Sequence, residues 1–310
     1  MIKLLELFGG IGACSKALER LGIEYEIADY VEIDKYAVAS FNAIHGTNFE
    51  PQDICEWNKD IDVDLIMHGS PCQDFSIAGK QAGGDEGSGT RSSLMYETLR
   101  IVEKLKPKYV IWENVKNIIS KNHKHNFDKY IAKMGELGYK SYAKIMNAKN
   151  YGIPQNRERV FTISIRNDYN QTFEFPEPIP LEKKLKDMLE DNVDEKYYLS
   201  DKQIEDIQGW NAYEKPLENM EKTNKSNISP TLTTRSGAYA AGMILVKNAT
   251  QMSDLRIRKL TPKECWRLMG FDDKDFEKAS QVCSNAQLYK QAGNSIVVNV
   301  LEKILKNLIK

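Results

Sequence analysis

One feature constrains this chain more than any other. Its first half alternates short apolar runs with amphipathic stretches. Runs rich in Val, Ile, Leu, Phe and Tyr fall at Lys3–Phe8, Tyr25–Asp34, Asp64–His68, Tyr109–Glu113, Ser141–Ala148 and Arg159–Arg166, and these read as strands. Between them, Ala13–Leu21 reads as a helix closed by Gly22. Met95, Leu99 and Val102 form one stripe within residues 91–105, and Phe127, Tyr130, Ile131 and Met134 form another. Alternating strands and helices predict the α/β class: a doubly wound, mostly parallel sheet covered on both faces.

The pattern fades after Arg166. Pro176, Pro178 and Pro180 predict an exit from the sheet domain, and residues 182–230 are polar with weak periodicity. Order resumes at Thr261-Pro262-Lys263-Glu264, where Thr261 suits an N-cap, Pro262 the first helical position and Glu264 the capping-box partner. The chain ends in an amphipathic helix with Val297, Val300, Leu301, Ile304, Leu305 and Leu308 apolar. The expected domains are 1–185 with 286–310, and a smaller one over 186–285.

Charge narrows the function classes. The chain of 310 residues carries 43 Lys and Arg against 44 Asp and Glu, so the simplest mark of a nucleic-acid partner, a strongly basic protein, is absent. The sum hides a polarity, however. Residues 1–66 hold five basic and thirteen acidic side chains, whereas residues 100–150 hold twelve basic and four acidic. Such asymmetry can build one basic face on a neutral molecule, or it can be a set of solvated helix surfaces. The five cysteines lack CxxC spacing, which predicts neither a disulfide framework nor a structural metal site. With no secretory leader and no run near the ~18 apolar residues of a membrane span, the expected location is the cytoplasm.

Several segments carry chemistry. Phe8-Gly9-Gly10-Ile11-Gly12 joins the first strand to a helix, where glycines admit a ligand to the backbone and the helix start offers N–H groups. Glu32 ends the second strand, where an acid meets ribose hydroxyls in such folds, and Asp53 could accept from an adenine amine. Ser15 stands where a third fingerprint glycine would be, so glycines and acids fit a nicotinamide dehydrogenase about as well. A tight turn with two solvated acids is the plainer account. Cys72 follows Gly69-Ser70-Pro71 just past a strand end, ahead of Gly79, Gly83, Gly84, Gly87 and Gly89. A lone cysteine is commonly a small buried hydrophobe, but these polar neighbours suit a thiolate nucleophile beside a Gly-rich lid. Glu113 and Asn114 end another strand, and Arg157 and Arg159 alternate into the next, so they share a face. Paired arginines suit phosphates or a base carbonyl, or they are surface groups bridged to nearby acids.

In order along the chain, these segments resemble the cytosine-C5 DNA methyltransferase family of bacterial and phage type. The match runs through Phe8-Gly9-Gly10-Ile11-Gly12, Glu32, Asp53, Pro71-Cys72-Gln73, Glu113-Asn114-Val115 and Gln155-Asn156-Arg157-Glu158-Arg159. It continues with Arg258-Lys259-Leu260-Thr261-Pro262-Lys263-Glu264-Cys265 and closes with Gln291-Ala292-Gly293-Asn294-Ser295.

The resemblance implies methyl transfer from S-adenosylmethionine to carbon 5 of a flipped-out cytosine, through a covalent Cys72 adduct. Glu113 and Arg159 would hold the base, with Gln155 and Arg157 in support. Phe8, Gly10, Ile11, Gly12, Glu32, Ile33, Asp53, Ile54, Pro71, Leu94, Asn294 and Ser295 would take the cofactor. Ser76, Arg91, Thr231, Leu232, Arg235, Ser236 and Tyr239 would meet DNA. The implied partner is double-stranded DNA, met by a monomer. The implied setting is a restriction-modification system with its cognate endonuclease, or a phage or orphan enzyme. A branch with the same motifs acts on tRNA. A DNA-binding regulator that has lost its chemistry is a rival from another class, although Cys72, Glu113 and Arg159 are all present.

Overall fold

A computed structural model describes residues 1–71, 91–208, 216–234, 236, 243–247 and 255–309. These form two compact units, one of Met1–Met146, Glu158–Glu177 and Val300–Lys310, the other of Asn147–Arg157 and Pro178–Asn299.

The first unit is built on a six-stranded sheet. Its strands are β1 (Ile2–Leu7), β2 (Tyr25–Val31), β3 (Leu65–His68), β4 (Tyr109–Val115), β5 (Tyr139–Asn147) and β6 (Glu158–Arg166). Their spatial order is β2-β1-β3-β4-β6-β5. The pairs β1·β2, β1·β3 and β3·β4 are parallel, whereas β6 runs antiparallel to β4. Parallel strands covered on both faces lose the polar–apolar alternation, and β3 shows this: Leu65, Ile66, Met67 and His68 are all buried.

Helices α1 (Ala13–Leu21), α2 (Lys35–His45), α3 (Met95–Leu105) and α4 (Lys124–Glu136) link these strands. The ends of α1 and α2 are set by local chemistry. Ile23 N–H bonds Leu18 O at 3.1 Å past the left-handed Gly22, and Thr47 N–H bonds Asn42 O at 3.2 Å past Gly46. Asp34 caps α2 through Tyr36 N–H at 3.0 Å. This cap explains why β2 stops at Val31 rather than running to Asp34, because Glu32 and Asp34 have turned to face backbone donors. The core joins Leu5, Leu7, Val31, Ile66, Val102, Val110, Trp112 and Tyr130.

In the second unit, α5 (Asp201–Gln208) and α6 (Pro216–Ser226) precede an antiparallel pair, β7 (Met243–Lys247) and β8 (Leu255–Lys259). Then follow α7 (Pro262–Leu268), α8 (Asp273–Ser280) and α9 (Asn285–Asn294). The capping box read from sequence is present on α7: Glu264 N–H bonds Thr261 Oγ1 at 3.2 Å, and Thr261 N–H bonds Glu264 Oε2 at 2.8 Å. The last helix, α10 (Val298–Leu308), belongs to the first unit from Val300 onward. It is tied there by Arg20 Nε, 3.4 Å from Glu302 Oε1, and by Gln171 Nε2–H bonding Leu308 O at 2.8 Å. Among the described residues no helix is long and apolar enough to cross a membrane.

Candidate active site

The loop between β1 and α1 is shaped by three left-handed residues, Phe8 at φ 53°, Gly10 at 56° and Gly12 at 79°. Left-handed φ is uncommon outside glycine, and such outliers gather at functional turns. A side chain at Gly12 would meet His45 Nε2 at 2.3 Å and Phe41 at 2.7 Å, so α2 packs where only hydrogen fits. At Gly10 nothing among the described residues lies within 4 Å of an added Cβ, so that face of the loop is clear, although its N–H and C=O are held by Glu32 and the Tyr30 hydroxyl. Ile11, by contrast, is buried, so what it offers a ligand is backbone.

The far side of this loop is the carboxylate of Glu32. Its Oε2 accepts from Gly10 N–H at 3.2 Å and its Oε1 from Asp34 N–H at 2.9 Å. Burial pushes its carboxyl above the ordinary range and Asp34 adds to this, while the N–H groups of Asp34, Gly10 and Ile33 pull the other way. Glu32 is thus a positioned acceptor and not a solvated strand-end acid. Beside it Ile33 is 68% exposed, an apolar side chain left uncovered next to an acceptor. Asp53 Oδ1 accepts from Cys55 N–H at 2.9 Å, and Ile54 is buried. A loop face clear of side chains at Gly10, an acceptor for hydroxyls and an uncovered apolar face together fit an adenosine-bearing cofactor.

The acids that build this region belong to no motif in the sequence. Asp29, buried in β2, accepts from Trp57 Nε1–H at 2.7 Å and Gln52 Nε2–H at 3.2 Å, and Lys59 Nζ lies 2.7 Å from it. It thereby anchors the segment that carries Asp53. Glu6, buried in β1, accepts from Ser15 N–H at 3.0 Å and from the Ser15 hydroxyl. Ser15, at the place of the third glycine, therefore lets a strand carboxylate cap α1. Burial pushes Glu6 up to about 7, against the Ser15 hydroxyl and the N–H groups of Ser15 and Cys14. The available signal was an acid interrupting an apolar strand run.

The ends of β3 and β4 carry the second group of residues. Arg159 Nε lies 3.0 Å from Glu113 Oε1, both side chains being largely buried. Their backbones explain the meeting: Glu113 faces Phe161 and Val115 faces Arg159, so Glu113 and Arg159 are diagonal neighbours on one face. On the opposite face of β4, Trp112 Nε1–H donates to Ser70 Oγ at 3.1 Å, and Asn114 Nδ2–H approaches Ser70 O at 3.4 Å. Pro71 and Leu94 are half-buried. Cys72, Ser76, Arg235 and Tyr239, and the side chain of Arg91, lie outside the described residues.

Within the second unit, Gln155 and Arg157 are turned to the main chain. Gln155 Nε2–H bonds Leu268 O at 2.8 Å, and its Oε1 accepts from Leu232 N–H at 3.1 Å. Arg157 donates to three carbonyls, those of Leu232 at 2.8 Å, Gly293 at 3.0 Å and Ser295 at 2.9 Å. Thr231 Oγ1–H bonds Asn156 O at 2.6 Å. Leu232 and Ser236 are each 1% exposed, so neither side chain faces solvent, whereas Asn294 is exposed and Ser295 is buried. A Cβ on Gly293 would stand 2.3 Å from the backbone of Thr233 and Thr234, so this close approach requires glycine.

Comparison with known proteins agrees with this chemistry. Residues 2–310 match the family described as C-5 cytosine-specific DNA methylase. The chain is 36% identical to the type II methyltransferase M2.ScrFI of Lactococcus lactis subsp. cremoris, covering 100% of this chain and 99% of that protein. It is 35% identical to the type II methyltransferase M.HhaI of Haemophilus parahaemolyticus, over 99% of this chain and 94% of that one. A solved structure of a Spodoptera frugiperda DNMT2 variant superposes with a TM-score of 0.78 at 23% identity over the whole of both chains, a likeness of fold. On its whole length and its motifs, the chain belongs to the C-5 cytosine-specific DNA methylase family and uses S-adenosylmethionine.

Proposed function

We propose that this protein methylates carbon 5 of a cytosine within a specific duplex sequence, using Cys72 as nucleophile on a flipped-out base. The observation that carries this reading is the Glu113–Arg159 pair, 3.0 Å apart at the end of β4, on the strand next to the one that leads into Cys72. Carbon 5 of cytosine is a poor nucleophile. Addition of the Cys72 thiolate to carbon 6 moves the electron pair of the ring double bond toward carbon 5 and the ring nitrogen. Glu113 would meet ring nitrogen 3 and the exocyclic amine, and Arg159 the oxygen at position 2, so both face the charge that builds on the ring. S-adenosylmethionine supplies the methyl group. Loss of the carbon-5 proton to a base then returns an electron pair to the ring and expels the Cys72 thiolate. Since carbon 6 is stacked inside a duplex, the base has to leave the helix first.

The cofactor side of the reading rests on Glu32 for the ribose, Asp53 for the adenine amine, and Phe8 and Ile33 for the base. Ile54, Pro71, Leu94, Asn294 and Ser295 are assigned on their motifs. Gln155, Arg157, Thr231, Leu232 and Ser236 are better read as groups that shape the second unit, given their main-chain bonds and burial. Base contacts then fall to neighbours such as Arg235 and Tyr239. We further propose a monomer acting in the cytoplasm, with a cognate restriction endonuclease or alone as an orphan enzyme.

Labelled S-adenosylmethionine tests the reading. Transfer to duplex DNA and not to tRNA is expected, and C72A should abolish it. Transfer to tRNA alone, or normal turnover by C72A, would sink the proposal.

A further inference from the structure

The residues before Cys72 are held by a bond that the reaction scheme above does not use. Ser70 follows β3 and is 4% exposed. Its Oγ accepts the Trp112 indole N–H at 3.1 Å, and Asn114 Nδ2 lies 3.4 Å from both Ser70 O and Oγ. Trp112 and Asn114 are themselves buried, at 1% and 2% exposure. We propose that Trp112 is a positioning residue for the nucleophile, its indole N–H fixing Ser70 and thereby the chain that enters Cys72.

Three observations carry this. First, Trp112 has no freedom to turn. Its ring lies 4.1 Å from that of Tyr130 and stacks on Phe127 at 5.7 Å and on His68 at 5.8 Å, between centroids. Tyr130 is fixed in turn by its hydroxyl, 2.9 Å from His68 Nε2. Burial holds His68 down to about 3, so this support stays neutral and does not shift near neutral pH. Second, a donor on so rigid a ring sets the hydroxyl it bonds to within a narrow range of direction and distance. Third, β4 serves both reacting partners from opposite faces. Glu113 points toward Arg159, while Trp112 and Asn114, one residue to either side, point toward Ser70. One strand end therefore sets the distance between the acid that holds the base and the start of the segment bearing the nucleophile. A misplacement near 1 Å at a reacting centre can cost about 10²-fold in rate, so such a brace acts on turnover and not on binding.

The proposal rests on Cys72 as the nucleophile. The plainer alternative is that Ser70 merely satisfies a buried indole donor, in which case its loss would lower stability and leave turnover alone.

Steady-state and single-turnover methylation of duplex DNA by W112F, S70A and the double variant separates the two, with S-adenosylhomocysteine titration and thermal melting alongside. Each single variant is expected to lower kcat about 10- to 100-fold. The Kd for S-adenosylhomocysteine and the KM for cofactor should stay within twofold. The double variant should be no slower than the worse single one, because S70A already removes the acceptor that W112F leaves without its donor. Should W112F fail to fold, S70A, which deletes a single oxygen, decides alone. A folded S70A with kcat within twofold of wild type overturns the proposal, as do losses that multiply in the double variant. C72A in the same assay keeps the two readings apart. If C72A is inactive and S70A is normal, only the positioning role fails; if C72A turns over, the nucleophile and its brace fail together.

Discussion

Arg159 and Glu113 meet on a diagonal of the antiparallel β4·β6 pair, Nε to Oε1 at 3.0 Å, and both are largely withdrawn from water. An antiparallel partner was needed for this. Arg159 sits near the start of β6 and Glu113 near the end of β4, and only opposed strand directions bring those two positions side by side.

Removing either member should therefore stop chemistry before it disturbs the fold. E113Q is expected to lower kcat by about 10²- to 10⁴-fold, the range for losing a positioned acid–base group, and to lower the melting temperature while leaving the protein folded, because Arg159 loses its buried partner. R159K keeps the charge but not the planar fork, so a loss of at least about tenfold is expected. Single-turnover transfer with labelled cofactor measures both.

The guanidinium of Arg157 should matter for stability instead. R157M would leave the carbonyls of Leu232, Gly293 and Ser295 without the donor that now serves them. Each buried acceptor left unpaired costs ~1–3 kcal/mol, so a total above about 3 kcal/mol is expected, with R157K between the two. Urea unfolding followed by fluorescence gives the value. An unfolding curve identical to wild type would show that the three bonds carry no net stability.

A second buried cluster makes a similar forecast. Arg258 forms two bonds to Glu264, Nη1 to Oε2 at 2.8 Å and Nη2 to Oε1 at 2.6 Å, and Glu264 also accepts from Glu190 N–H at 2.8 Å. Breaking a buried pair strands the remaining charge, so E264A should cost ~3–5 kcal/mol. Replacing both residues with apolar ones, as in R258M/E264L, should cost less than E264A alone. The same denaturation experiment tests this order.

Stability should vary with pH through two buried groups of opposite sign. Glu6, raised to about 7, is more readily protonated in the folded chain than in the unfolded one. Its contribution is fully present below pH about 4.5 and is lost as pH rises through 7. His68, lowered to about 3, works the other way: stability is fully present above pH about 6.5 and drains away as pH falls toward 3. Each slope is about 1.4 kcal/mol per pH unit, so the two cancel between roughly 4.5 and 6.5. E6Q should therefore gain on wild type between pH 5 and 8, by on the order of 3 kcal/mol in all. Unfolding midpoints across that range report the gain, and a pH-independent difference would contradict the assignment.

The strands were legible in the sequence because each is a compact apolar run with a glycine or a cap nearby. Their bounds shift by at most three residues, and the shifts have causes. β2 is cut short by the cap on α2, and β4 is lengthened to Val115 by its pairing with β6. The candidate acids Glu32 and Glu113 were legible because they stand at or near strand ends, and the glycine loop because it breaks a strand. The antiparallel direction of β6 was not, since periodicity carries no direction. Nor was the use of Arg157, since an arginine written beside Arg159 says nothing of which carbonyls will approach it. Asp29, Glu6 and Trp112 carry no local signal of their partners for a similar reason. Their roles depend on partners 28, 9 and 42 residues away, and a local pattern cannot show them.

The three-carbonyl grip of Arg157 has a consequence for how such a chain can diversify. It holds oxygens that every residue possesses, so it places no demand on the identity of the side chains at 232 and 295, and at 293 it tolerates the glycine already required there. The sixty residues between Leu232 and Gly293 leave and re-enter the grip at main-chain atoms. A change of side chain at either end therefore does not by itself unfasten the grip. A fastener blind to side chains keeps its hold when the residues it grips are replaced.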